Sequence, residues 1–210
     1  MLREQETETQ VIDVQIPTCS AASTATSEKS EPLIADKVVE RQERWRRKLG
    51  NDVDVVTVEL VADDELAARL GCRPGQRWLR LRTTRGDPRD PSHPIAATTV
   101  YIDPAYGPAV RREVASSRQL ISTIIEEAYG TYTAEVRQEI RAVAITAGPA
   151  RALGCEPGSP GLEITRHYSD PAGRPFVITI SVQPADRFSY VIKLTRLGCH
   201  AAAPGATQSA

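Results

Sequence analysis

With 210 residues, 40% of them hydrophobic and 25% charged, the sequence has the composition of an ordinary globular chain, long enough for one domain plus a tail or two small domains. A formal net charge of −1 excludes the strongly basic balance of a dedicated nucleic-acid surface. No apolar run approaches the roughly 20 residues that cross a bilayer, and the charged, Gln- and Thr-rich start lacks a signal-peptide pattern, so a cytoplasmic chain with no membrane partner is expected.

In chain order, Met1 to Asp36 offers little to a core. Val11–Ile16 forms a strand only if something pairs with it, and Thr18–Ser30 has linker composition, so residues 1–36 are expected to be mostly disordered tail. Lys37 to Leu49 places Val38, Trp45 and Leu49 near helical spacing among Lys37, Arg41, Arg44, Arg46, Arg47 and Lys48. A basic amphipathic helix over 37–50, closed at Gly50, is predicted; it either contacts phosphates or packs Trp45 on the domain as a solvated helix. Asp52–Leu60 alternates and is rich in valine, as a strand is.

The next stretch is repeated. Leu70-Gly71-Cys72-Arg73-Pro74-Gly75 returns 83 positions later (155 minus 72) as Leu153-Gly154-Cys155-Glu156-Pro157-Gly158. Each copy follows a small Ala-rich segment and precedes an alternating strand, a polar turn (Gly86–Ser92 and Asp170–Gly173) and a second strand led by Pro94-Ile95 or Pro175-Phe176. Two copies are too few for a solenoid and suit one domain with local twofold symmetry. Between them, Ser116-Ser117 can cap a helix whose apolar positions are Leu120, Ile121, Ile124, Ile125 and Ala128, with Gly130 at its stop. Asp103–Gly107 reads as a turn and Thr131–Thr146 as a mostly extended segment. Phe188–Leu194 reads as a last strand, and residues 198–210 as a second disordered tail, leaving 51–197 as the folded domain.

Alternation places candidate functional residues. Leu79 and Leu81 share a face with Thr83 and Arg85, while Arg80 and Arg82 point away. The 83-residue offset puts Arg166 and Tyr168 on the equivalent face, beyond Leu162 and Ile164. An arginine in line with core leucines is either the floor of a pocket or a structural ion pair reaching to solvent. In Pro175–Gln183, Phe176, Ile178, Ile180 and Val182 form one face, and Val177, Thr179 and Ser181 the other, so both faces of the sheet need cover. The bridging helix supplies one, and a partner subunit is the expected second.

The cysteines Cys19, Cys72, Cys155 and Cys199 include no CxxC pair and no histidine at zinc-ligand spacing. Structural thiols are expected, with a disulfide or metal framework as the alternative, and no metal or cofactor is predicted. His93 lies in a turn, His167 opposite Arg166 and His200 in the tail, and no hydrolase, zincin, Walker or dinucleotide pattern is present, so catalytic residues are not expected.

From about Val55 to Arg196 this order of features resembles the UTRA domain, the effector-binding half of HutC-type regulators of the GntR family. The match is carried by Ala68 through Gly75, the strand ending at Arg85, Tyr101, Glu126-Glu127-Ala128-Tyr129-Gly130, Arg137-Gln138-Glu139-Ile140, and Leu153 through Asp186-Arg187. The resemblance implies an α+β, chorismate-lyase-like fold, an antiparallel sheet of two hairpin units with a bridging helix. It also implies homodimerisation through this domain and a small molecule that alters DNA affinity allosterically. DNA contact is expected only through a winged-helix domain, which residues 1–49 are too short to supply. Relatives that recognise sugar phosphates look like R-x-R at the end of the first strand, with a helix serine and a later glutamate. Here those positions are Thr83 and Arg85, Leu120, and Val177, with Ser122 or Ser117 as the replacement hydroxyl. Fewer charge-assisted bonds predict a less polar effector, a carboxylate held by Arg85 and Arg166. The ligand-binding set is Thr83, Arg85, Tyr101, Ser122, Arg166, Tyr168, Thr179 and Ser181. An interaction module with a vestigial pocket and a chorismate-lyase-like enzyme are the alternatives.

Overall fold

The computed structural model describes residues 8–17, 51–52, 58–86, 93–114 and 119–197. The basic segment at 37–50, Cys19, Cys199, the Ser116-Ser117 cap, positions 87–92 of the first turn and the terminal tails at 1–7, 18–36 and 198–210 lie outside them.

The strands are β1 (Glu8–Pro17), β2 (Asn51–Asp52), β3 (Val58–Val61), β4 (Arg77–Arg85), β5 (Ala96–Ile102), β6 (Glu135–Ala144), β7 (Pro160–Ser169), β8 (Pro175–Pro184) and β9 (Phe188–Leu197). The helices are α1 (Asp64–Leu70), α2 (Gly107–Glu113), α3 (Ile121–Tyr129) and α4 (Ala147–Leu153), with a 3-10 turn at Pro104–Tyr106. An antiparallel sheet runs β2-β4-β5-β8-β7-β6, and β3 joins it on the same edge of β4 as β2. The segment around Val11–Ile16 finds its partner in β9, with which β1 pairs in parallel.

The duplication seen in the sequence is a duplication of backbone. Gly71 (φ +64) and Gly154 (φ +60) end α1 and α4 in the left-handed conformation. The following amides of Cys72 and Cys155 return to the carbonyls of Ala67 and Ala150 at 3.0 and 3.1 Å, the six-to-one bond of a Schellman cap. Gly75 N–H reaches Ala62 O and Gly158 N–H reaches Ile145 O, both at 2.8 Å. The unit also starts earlier than the sequence indicates: β3 pairs Val58 with Arg80 as β6 pairs Arg141 with Glu163, again 83 apart. The first hairpin's longer turn brings the offset of the return strands to 81 (Pro94 to Pro175). At this offset Thr99 corresponds to Ile180, and these two residues face each other across β5 and β8. The local dyad therefore passes between them.

One face of the sheet packs Leu79, Leu81, Val100 and Ile102 under Val110 and Val114 and under Ile121 and Ile125 of α3, with Tyr168 and Val177. The other packs Trp78, Tyr101, Ile178 and Ile180 against Ala67 and Leu70 of α1, and Val182 against Ala150 and Leu153 of α4. The repeats' own helices thus cover the face for which a partner subunit was expected. The partly buried side chains of Cys72 and Cys155, both free thiols, fill out these last two clusters as small hydrophobes.

Two local readings change. Residues after Asp103 form a 3-10 turn and then α2 instead of a simple turn, with the Asp103 carboxylate accepting from Ala105 N–H at 2.9 Å. Pro108 is tolerated because it sits in the first turn of α2, where its missing N–H has no intrahelical partner. Helix α3 is capped at Leu120, without a side-chain cap bond.

Asp170 organises the tighter second turn. Its Oδ1 accepts from Ala172 and Arg174 N–H at 2.9 Å each, and its Oδ2 accepts from the Arg174 guanidinium at 2.9 and 3.1 Å. The Arg174 amide and then its guanidinium hold the carboxyl below the usual aspartate range, against the opposing effect of burial. A depressed carboxylate pKa contributes stability that is complete above the unfolded value, about 3.9, and is lost as pH falls through the lower folded value. Asp170→Asn is therefore expected to flatten the acid limb of stability below about pH 4, measured by urea unfolding at several pH values.

Candidate functional site

Alternation along β4, β5, β7 and β8 builds a polar row on the face that α3 covers. Thr83 lies opposite Thr98, Thr98 opposite Ser181, and Ser181 opposite Ile164, while Arg166 lies opposite Thr179 one pair further along. The hydroxyls of Thr98 and Ser181 are 2.5 Å apart. Arg85 and Arg166 share this face, as the sequence indicates, on either side of the row and three strands apart. Their Cα atoms are about 20 Å from each other on ordinary strand spacing and rise. A ligand touching both guanidiniums has to lie diagonally across the Thr98–Ser181 pair.

Arg166 is 8% exposed. Its Nε donates to Gln138 Oε1 at 2.6 Å, and Gln138 Nε2 donates to Tyr190 Oη at 2.6 Å. Burial pulls the guanidinium below its ordinary pKa, and Tyr168 and Tyr190 act in the opposite direction. Arginine nevertheless stays protonated in proteins, so a fixed cation stands under this face. Ser122 and Ser181 are buried, at 3% and 6% exposure. The Ser122 Oγ and Thr179 Oγ1 atoms are fully buried and have no hydrogen-bond partner among the described residues. Buried hydroxyls are ordinarily satisfied, so these two have hydrogen-bonding capacity left for a polar group from elsewhere, as has the Trp78 indole N–H on the opposite face.

Seven of the eight predicted residues, Thr83, Arg85, Ser122, Arg166, Tyr168, Thr179 and Ser181, belong to this side of the sheet. Tyr101 does not. It lies opposite Arg80, and its ring packs on the other face with Leu70, Trp78 and Ile178. Leu120 and Val177, at the positions of the missing serine and glutamate, are buried apolar residues, and Ser117 lies outside the described residues. Thr98, bonded to Ser181, and Gln138 and Tyr190, linked in turn to Arg166, join this set and were missed. Gln138 was findable, because Val136 and Ile140 bracket it at period 2 on the inward face of β6.

Other residues shared with the resemblance are structural. Glu126 accepts from Thr133 N–H at 2.8 Å and from the Thr133 hydroxyl, closing the turn after α3. Arg187 donates to the carbonyls of Pro94 at 3.0 Å and Leu153 at 2.6 Å, tying the first repeat's return strand to the end of α4. His167 sits 3.0 Å from the Leu70 carbonyl, away from the polar row.

Residues 51–189 match the UTRA domain family. The chain belongs to this family. Its fold is that of the ligand-binding domain of a GntR-family transcriptional regulator from Bordetella bronchiseptica, at TM-score 0.57 and 20% identity over 69% of this chain and 90% of that one. The effector domain of PhnF from Mycobacterium smegmatis is similar at TM-score 0.53 and 18% identity, over 78% of this chain and 93% of that one. An HTH-type transcriptional regulator of Mycobacterium tuberculosis is 29% identical over 120 residues, 56% of this chain and 43% of that regulator, so the match spans less than half of the relative's length. The UTRA domain here is of the kind carried by GntR-family regulators, with the chorismate-lyase-like fold that the resemblance implies. No described helix is long and apolar enough to cross a membrane.

Proposed function

We propose that residues 51–197 are the effector-sensing domain of a HutC-type GntR-family regulator, and that a small carboxylate binds the polar row beneath α3. Thr83, Arg85, Arg166, Tyr168, Thr179, Ser181 and Ser122 are its contacts. The observation that carries the reading is the pair of buried, partnerless hydroxyls of Ser122 and Thr179 on the same side of the sheet as two arginines. Mechanistically, an effector that satisfies both Ser122 on α3 and Thr179 on β8 favours the arrangement in which helix and strand are closest. In a homodimer joined through this domain, that preference shifts the spacing of attached winged-helix heads and so couples effector to DNA. The resemblance supports the dimer and the coupling.

The test is a thermal-shift titration of the whole chain against a panel of small carboxylates and sugar phosphates. A carboxylate at a hundred times its Kd is expected to add about 2.7 kcal/mol to stability. Thr179→Val, which keeps the shape of the side chain, and Arg166→Gln are each expected to weaken that binding about tenfold or more, as removal of hydrogen bonds to a charged group does. Tight sugar-phosphate binding that survives Arg85→Ala would remove the pocket assignment. Stability indifferent to the whole panel would favour an interaction module.

A further inference from the structure

The opposite face of the sheet holds a groove of about 870 Å³ between α1 and α4, whose lining includes Thr83 and Thr98 of the row that α3 covers from the other side. Its volume lies within the few hundred to a thousand Å³ typical of small-molecule sites. It exists because the two repeats, so alike in backbone, differ in side chains at this point. Where α1 carries Glu65 and Arg69, the equivalent positions of α4, 83 residues on, are Gly148 and Ala152. A Cβ added at Gly148 would find nothing within 4 Å. Small residues on one helix therefore leave open the space that the other helix fills.

The same asymmetry sorts the lining into two ends. Thr99 and Tyr101 of the first repeat correspond to Ile180 and Val182 of the second, and Arg82 corresponds to Thr165. Around Ala97, Ile145, Ile180 and Val182 the floor of the groove is apolar sheet, bordered by Glu163 opposite Val182. Around Tyr101 it is charged, with Arg69 and Arg82 in the wall beside the carboxylates of Glu65 and Glu163, and with Arg80 beside Tyr101 across the strand pair. Arg69 is held by Glu163 at 2.5 Å, whereas Arg82 is exposed on the groove. Burial, and to a smaller degree the Glu163 carboxylate, raises the Tyr101 hydroxyl's pKa despite Arg69, Arg80 and Arg82, which act to lower it, so the phenol remains a hydrogen-bond donor at neutral pH.

We propose that this groove is a second ligand site, taking a flat organic anion whose apolar body lies on Ala97, Ile180 and Val182 and whose charged end meets Arg82 and the Tyr101 hydroxyl. Planar guanidinium suits both tasks, since it pairs with a carboxylate and stacks on an aromatic face.

The probe is 2-naphthoate, followed by its own fluorescence anisotropy on the whole chain, with 2-naphthamide as the uncharged match. Saturable binding is expected, weakened about tenfold for the amide and about tenfold by Arg82→Ala. Ala152→Trp and Gly148→Phe each place a ring in the groove from an exposed helix position and are expected to abolish binding while leaving the far-UV spectrum unchanged. Arg166→Gln is expected to leave it intact, which separates this site from the one beneath α3. The proposal is overturned if naphthoate does not saturate, if either ring-inserting variant binds as the parent does, or if binding is lost in Arg166→Gln and kept in Ala152→Trp.

Discussion

Leu70→Ala is expected to cost about 4 kcal/mol of folding free energy and Leu153→Ala about 3 kcal/mol, within the range for truncating a fully buried leucine. Both side chains are 0% exposed and occupy equivalent places at the ends of α1 and α4. Their surroundings differ. Leu70 is walled by Trp78, Tyr101, Ile178 and Ile180, large side chains that have little freedom to close a void, whereas Leu153 packs with Ile145, Ala150 and Val182. The cost of a cavity depends on how far its walls collapse, so the site with bulkier walls should lose more. Urea unfolding with an unchanged m-value measures both. A loss below about 1 kcal/mol at Leu153 would show that α4 does not pack on the sheet as described.

Gly161→Val should be at least as damaging, through crowding. A Cβ at this position would stand 2.8 Å from the Gln183 carbonyl oxygen and 2.9 Å from Ile145 Cγ1. The first neighbour is backbone, held in register because Gly161 pairs with Pro184 on one side and Val143 on the other. Overpacking in such places costs about 1–3 kcal/mol, so Gly161→Ala should lie near the top of that range and Gly161→Val beyond it. Gly148→Ala is the control. Its Cβ meets open space inside the first turn of α4, and the change is expected to stabilise by up to about 1 kcal/mol through helix propensity. Equal losses at the two glycines would show that backbone freedom, and not space, is what Gly161 provides.

The polar row was legible because strand alternation is a property of consecutive residues. Once Leu79 and Leu81 are taken as core, the side of Thr83 and Arg85 follows, and the repeat carries the same logic to Arg166 and Tyr168. Tyr101 was misplaced because its side depends on the register between β4 and β5. A ten-residue connection, 86–95, does not determine register as a two-residue turn does, so the opposition of Tyr101 and Arg80 is visible only in the folded sheet. Helix α2 was missed for a local reason: glycine and proline at its first two positions read as a turn, and only the burial of Ala109 and Val110 shows that the chain continues as a helix.

By itself the sequence determined the duplication, the hairpins, the bridging helix and the sidedness of β4, β7 and β8, because these rest on spacing, turn chemistry and period. Tertiary structure alone decided what covers each face. Helix α1 packs on β5 and β8 as well as on its own β4, and Arg69 and His167 tie it to β7. Those contacts join residues up to 97 positions apart. No periodicity reports such pairings, since they are set by where the folded sheet presents apolar surface and not by what neighbours a residue in the chain.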